Sequence, residues 1–73
     1  MNDKQVAIDA LDCAQKDHVT KVASAYVDAF LMAEGKPNAD AFRKEAAERF
    51  KLGLSVLKAA HDSSRALVEQ IFP

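Results

Sequence analysis

The four residues Gly35-Lys36-Pro37-Asn38 constrain the fold most, because they form a cluster of helix breakers at the midpoint of the 73-residue chain. Glycine readily takes the left-handed backbone conformation that ends a helix, and Pro37 disfavours helical angles at Lys36. Asn38 offers a side-chain oxygen to the free N–H groups of a following helix. The pattern therefore predicts a turn over residues 35–38, at which the chain folds back on itself.

The segments on either side of this turn both show helical patterning. Alanine is frequent, whereas glycine and proline number two each, and such a composition favours helix. We predict one domain with helices over about residues 3–34 and 39–72. A break in the second helix near Asp62-Ser63-Ser64 is the alternative, because Ser and Asp are indifferent helix formers. The fold class expected is an all-α antiparallel helical hairpin.

One apolar stripe on each predicted helix marks the residues expected in the core. They recur at helical spacing and stand opposite charged positions. The predicted core residues are Ile8, Leu11, Val19, Val22, Tyr26, Phe30, Phe42, Phe50, Gly53, Leu57, Leu67 and Ile71.

The register of the hairpin follows from the position of the turn. Both helices rise by the same amount per residue, so residues whose numbers sum to about 73 should lie opposite each other. This places Gly53 near Val22, Phe50 near Tyr26 and His61 near Asp12. An interior helix glycine costs about 1 kcal/mol relative to alanine. We therefore interpret Gly53 as a point where the two helices approach closely, with a hinge or kink in the second helix as the alternative.

A chain of this size gains only a few kcal/mol from its own core. Its single cysteine allows no internal disulfide, so we expect a second copy to supply further burial and form a four-helix bundle. Another helical protein is the alternative partner. The residues predicted to form this interface lie at the margin of the core stripes or outside them; they are Thr20, Ser24, Val27, Leu31, Leu52 and Leu54.

Ten basic and eleven acidic residues give a formal net charge of −1, which argues against a broad electrostatic footprint for nucleic acid or membrane. Nucleic-acid binding is therefore an alternative that we do not favour. It would use Lys51, Lys58 and Arg65, which are interspersed with acidic residues. The absence of a long apolar run and of a signal-like start predicts a cytoplasmic protein with no membrane partner.

The strongest candidate for a chemical site is His61 with Asp12 and Cys13. These residue types bind divalent metals, but neither helix carries two good ligands at a zinc-motif spacing. The sequence also lacks a phosphate-binding loop and a nucleophile elbow. We therefore expect no catalytic residues, no metal site and no cofactor, and we predict that the chain is not an enzyme.

These observations favour a small non-catalytic helical interaction or adaptor module that acts as a homodimer. A dimeric RNA- or DNA-binding regulator is the first alternative. The second is a self-assembling or secretion-type helical hairpin subunit. Hairpins of this length around a Pro-Asn turn occur among secretion needle subunits and their small chaperones, and the likeness is one of size and layout only.

Overall fold

The computed structural model describes residues 2–73 and contains two helices that pack against each other in antiparallel orientation. Helix α1 spans Asp3–Met32 and helix α2 spans Ala39–Ile71. The predicted all-α hairpin is confirmed, and no strand occurs among the described residues. Helix α2 is continuous through residues 62–64, where the Ser64 hydroxyl donates to the Ala60 carbonyl. The alternative break at this position is therefore not observed.

The start of α1 is fixed by a side-chain cap. The Asn2 side-chain oxygen accepts hydrogen bonds from the backbone N–H groups of Lys4 and Gln5, at 3.0 and 3.4 Å. These groups have no partner within the helix, so the cap satisfies them. Asp3 adds negative charge in the first turn, which the helix dipole favours.

The turn uses glycine as predicted but does not use the Asn38 side chain. Gly35 has a φ of +80°, and a methyl group added there would meet no neighbour within 4 Å, so the backbone angle alone accounts for glycine here. The sequence predicts that Asn38 caps α2 through its side chain. It makes no such hydrogen bond. The Ala39 N–H, which a cap of this kind does not reach, donates to the Lys36 carbonyl at 3.2 Å.

The hairpin is a slab one helix thick, with Cα extents of 56 × 18 × 7 Å. Among the described residues, the buried apolar side chains are Ala33 and Ala46, both near the turn. The larger side chains between the helices, such as Val22 and Phe50, are half-buried. A domain normally encloses its core between two packed layers of secondary structure. This hairpin is a single layer.

The predicted register is confirmed by contacts along the whole length of the slab. The Lys4 ammonium lies 2.8 Å from the Glu69 carboxylate near the chain ends. The Tyr26 and Phe50 rings stack near the turn, with centroids 5.0 Å apart. Within the described residues, neither helix contains an apolar stretch long enough to cross a membrane.

Candidate functional site

A groove of about 470 Å³ opens between the two helices at the turn end of the hairpin. Apolar and aromatic side chains supply most of its lining, with a few charged groups among them. The lining residues are Val22, Ala25, Tyr26, Ala29, Met32, Ala33, Lys36, Phe42, Glu45, Ala46, Arg49, Phe50 and Gly53. Small residues on both helices account for the concavity, because alanine and glycine leave space that larger side chains would fill.

Aromatic rings shape the groove. Tyr26 stacks on Phe50 with an angle of 18° between the ring planes, an offset arrangement that adds to the hydrophobic gain. Phe42 stands across the groove and is 46% exposed. The Lys36 ammonium lies 5.1 Å from the centre of the Phe42 ring, within the range of a cation–π contact. The groove therefore offers aromatic surface to whatever covers it.

Two of the three charged groups in the groove lining, Glu45 and Arg49, are paired with each other. The Arg49 guanidinium lies 2.6 Å from the Glu45 carboxylate, one helical turn earlier on α2. Both side chains are well exposed, so the pair contributes little to stability. It reduces the net charge that the groove presents, which favours an uncharged apolar occupant.

Gly53 lies at the end of the groove and marks the close approach that the sequence predicts. A methyl group added there would lie 3.1 Å from Cγ1 of Val22. That separation is tighter than ordinary carbon–carbon contact. The Val22 side chain of α1 therefore fills the space that a side chain at position 53 of α2 would need.

The groove continues toward the chain ends as an apolar surface. At 100° per residue, the α2 residues Phe42, Val56, Leu67 and Ile71 lie on one side of the helix–helix seam. Val56, Leu67 and Ile71 are 58%, 54% and 69% exposed. On α1 the same side carries several alanines, with His18, Lys21 and Met32 as its larger residues and with Leu11 and Val22 at its border with the seam. We call this groove and its continuation the apolar face.

The opposite side of the hairpin carries the ion pairs that join the helices. Nε2 of His61 lies 3.0 Å from Oδ1 of Asp12, and the Arg65 guanidinium lies 3.8 Å from the same oxygen. Near the turn, the Arg43 guanidinium stacks over the Phe30 ring at 4.0 Å. We call this surface, centred on Asp12, His61, Arg65 and Arg43, the charged face.

The residues predicted as an interface do not form one surface. Helical spacing places Thr20, Val27 and Leu31 on the α1 side of the charged face, with Ser24 at its outer edge. Leu54 is half-buried toward the same face, whereas exposed Leu52 borders the apolar face. Thr20 donates to the Lys16 carbonyl. Participation of these residues in an interface stays a prediction.

The residues predicted as core divide into two groups by exposure. Those nearest the seam are half-buried; they are Ile8, Leu11, Val19, Val22, Tyr26, Phe50, Gly53 and Leu57. The others, Phe30, Phe42, Leu67 and Ile71, are exposed in the single hairpin. All but Phe30 of this exposed group lie on the apolar face. The apolar stripe predicted from the sequence is therefore wider than the surface that one helix buries against the other.

The structure brings His61 to Asp12, as the register predicts, and leaves the Cys13 thiol exposed. Among the described residues, no group of three or more His, Cys, Asp and Glu side chains is arranged to hold a metal ion. The basic side chains considered for nucleic acid each lie within 4 Å of a carboxylate. The pairs are Lys51 with Glu48, Lys58 with Asp62, and Arg65 with Asp12.

Comparison of the chain with protein-family models, with curated proteins and with solved structures gives no match.

Proposed function

We propose that this chain is a small non-catalytic protein–protein interaction module that acts in the cytoplasm as a homodimer. One observation carries the proposal: the most buried side chains among the described residues are the alanines Ala33 and Ala46, while Phe42, Leu67 and Ile71 remain exposed. Fully burying one large apolar side chain contributes about 1.5–3 kcal/mol. A hairpin that leaves several exposed keeps this free energy available for association.

The arrangement of polar groups supports an interaction role over nucleic-acid binding. Lys51, Lys58 and Arg65 stand beside acidic side chains, so they present no continuous positive surface. Nucleic-acid recognition usually needs concentrated basic charge. An apolar surface bordered by paired charges is instead typical of contact with another helix.

Sedimentation equilibrium over a wide concentration range, with circular dichroism on the same samples, tests the proposal. We expect a helical species of twice the 8.0 kDa chain mass, with no higher aggregates. A helical monomer at all concentrations would contradict the homodimer. Concentration-dependent filaments would favour the self-assembling subunit, and retention of mixed RNA or DNA at low salt would favour the nucleic-acid regulator.

A further inference from the structure

We infer that the apolar face is the dimer interface, and that a second copy docks on it with the opposite end of its hairpin over the groove. This inference rests on the proposed homodimer and specifies its surface and orientation. Two hairpins stacked in this way form a four-helix bundle in which neighbouring helices are antiparallel. The two-fold axis lies between the two hairpins, perpendicular to the helices and at the middle of their length.

The exposed area of one hairpin matches what such a dimer needs. The chain exposes 5565 Å², whereas the scaling for compact monomers gives roughly 4,450 Å² for a mass of 8.0 kDa. The excess of roughly 1,100 Å² exceeds the ~800 Å² that each partner buries in a standard interface. Covering one face of the slab therefore removes the excess and supplies the missing second layer.

The two halves of the apolar face have complementary shapes. The turn half contains the concave groove of about 470 Å³. The terminal half contains the projecting Leu67 and Ile71 side chains, which are 54% and 69% exposed. When the second copy is reversed end to end, its projecting side chains lie over the groove, and the same contact occurs twice by symmetry. Stacking with both turns at the same end would instead place groove on groove and leave an unfilled void.

The length of the slab sets the register of this dimer. With a 56 Å slab and a rise of about 1.5 Å per residue, opposed α2 residues have numbers that sum to about 111. Phe42 then lies near Ile71 of the second copy. Val56 lies near its own equivalent at the two-fold axis. The large apolar side chains of α2 on this face thus meet apolar side chains of the second copy, while the Arg49–Glu45 ion pair lies among them.

The charged face lacks these properties. Its centre is occupied by the Asp12 contacts to His61 and Arg65, and covering them has a desolvation cost, as covering the exposed Arg49–Glu45 pair has on the apolar face. Its apolar members Val27 and Leu31 lie on α1 near the turn. The charged face is therefore expected to remain in contact with solvent in the homodimer.

Single cysteines test the surface and the orientation together. In a Cys13→Ser background, Val56→Cys places a thiol at the predicted axis, and Val27→Cys is the matched control on the charged face. The two valines are 58% and 51% exposed, so neither substitution disturbs the core. Each variant is oxidised with diamide at about 10 µM chain. We expect Val56→Cys to crosslink about 100-fold faster than the control, because paired thiols in a dimer have an effective concentration near 1 mM.

A third variant separates the two orientations. His18→Cys mixed with Val56→Cys should yield little mixed disulfide in the end-to-end arrangement. With both turns at one end, α2 lies over α1 of the second copy, and this mixture would crosslink while Val56→Cys alone would not. That result would overturn the orientation.

The remaining outcomes test the surface and the dimer separately. Equal crosslinking of Val56→Cys and Val27→Cys in a protein that sediments as a dimer would overturn the apolar face as the interface while leaving the homodimer intact. A monomer by sedimentation would instead contradict the proposed function itself.

Discussion

On the charged face, Asp12 of α1 contacts His61 and Arg65 of α2, whereas on the apolar face Leu67 and Ile71 remain 54% and 69% exposed. Exposed ion pairs contribute about 0–1 kcal/mol each. Burial of one large apolar side chain contributes about 1.5–3 kcal/mol. The contacts of the charged face join the two helices in register, whereas the apolar face would supply the free energy of association in the proposed homodimer.

The largest effect is expected in the seam between the two faces. Phe50→Asp removes the ring that stacks on Tyr26 and places a charge between the helices. Loss of a core phenylalanine costs about 3–5 kcal/mol, which matches or exceeds what so small a core supplies. We expect loss of helical signal by circular dichroism. Val6→Asp, at an exposed α1 position, is the control and should stay helical; a helical Phe50→Asp variant would show that the seam matters little.

The next prediction compares the faces directly. Val56→Asp combined with Leu67→Asp places two charges on the apolar face, at positions that are exposed in the single hairpin. Loss of a central interface side chain costs about 1–2 kcal/mol or more, and each substitution occurs twice in a symmetric dimer, so the dimer dissociation constant should rise about 100-fold or more. The measurement is sedimentation equilibrium.

The matched pair Val27→Asp with Leu31→Asp changes the charged face by the same amount. Both positions are exposed, so we expect the dimer to persist with a dissociation constant within about threefold of the original. If this pair instead yields the monomer while the apolar-face pair remains dimeric, the interface predicted from the sequence around Val27 and Leu31 is the correct one.

The hairpin itself follows from local chemistry, which is why the sequence predicts it well. Gly35 ends one helix through its positive φ, and a constant rise per residue places Val22 beside Gly53. The Asn38 side-chain cap fails as a prediction: the backbone of Asn38, with φ −110° and ψ 35°, lies outside the extended conformation that a capping residue usually has. That outcome depends on turn geometry that residue type alone does not determine.

The difference between the faces is harder to predict from the sequence. Phe42 and Phe50 belong to one apolar stripe on a helical projection, yet the structure exposes the first and half-buries the second. Which flank of the stripe turns toward the partner helix depends on the rotation of each helix about its axis. Packing of both helices together fixes that rotation. The groove therefore becomes visible only in three dimensions.

A smaller effect is expected from Asp12→Ala on the charged face. The substitution removes the contacts with His61 and Arg65, which lie at 3.0 and 3.8 Å. Because the Asp12 side chain is about half exposed, the free energy of unfolding should fall by at most about 1 kcal/mol, and less at high salt. Urea unfolding measures the change, with Asp17→Ala as the control. Dissociation of the dimer by Asp12→Ala would show that the charged face takes part in assembly.

The smallest effect on stability is expected from an ion pair that lies within α2 and makes no contact between the two helices. The Lys58 ammonium donates a hydrogen bond to the Asp62 carboxylate at 2.9 Å and, with its charge, lowers the pKa of that carboxyl below its ordinary value of 3.8. A carboxyl whose pKa is lower in the folded state contributes stability above its unfolded pKa. That contribution should be lost as the pH falls below 3.8 through the lowered pKa.

A carboxyl titration by NMR, with Lys58→Gln as the comparison, checks this prediction. We expect the variant to return the pKa of Asp62 toward 3.8, since Lys58 is the main cause of the shift and the nearby His61 a minor one. The dimer mass should not change, because the pair spans one turn of a single helix and lies away from the apolar face. If the pKa of Asp62 is unchanged in the variant, a group other than Lys58 causes the shift. If the dimer dissociates in the variant, the interface must include Lys58 and so reach beyond the face of α2 on which Phe42 and Leu67 lie.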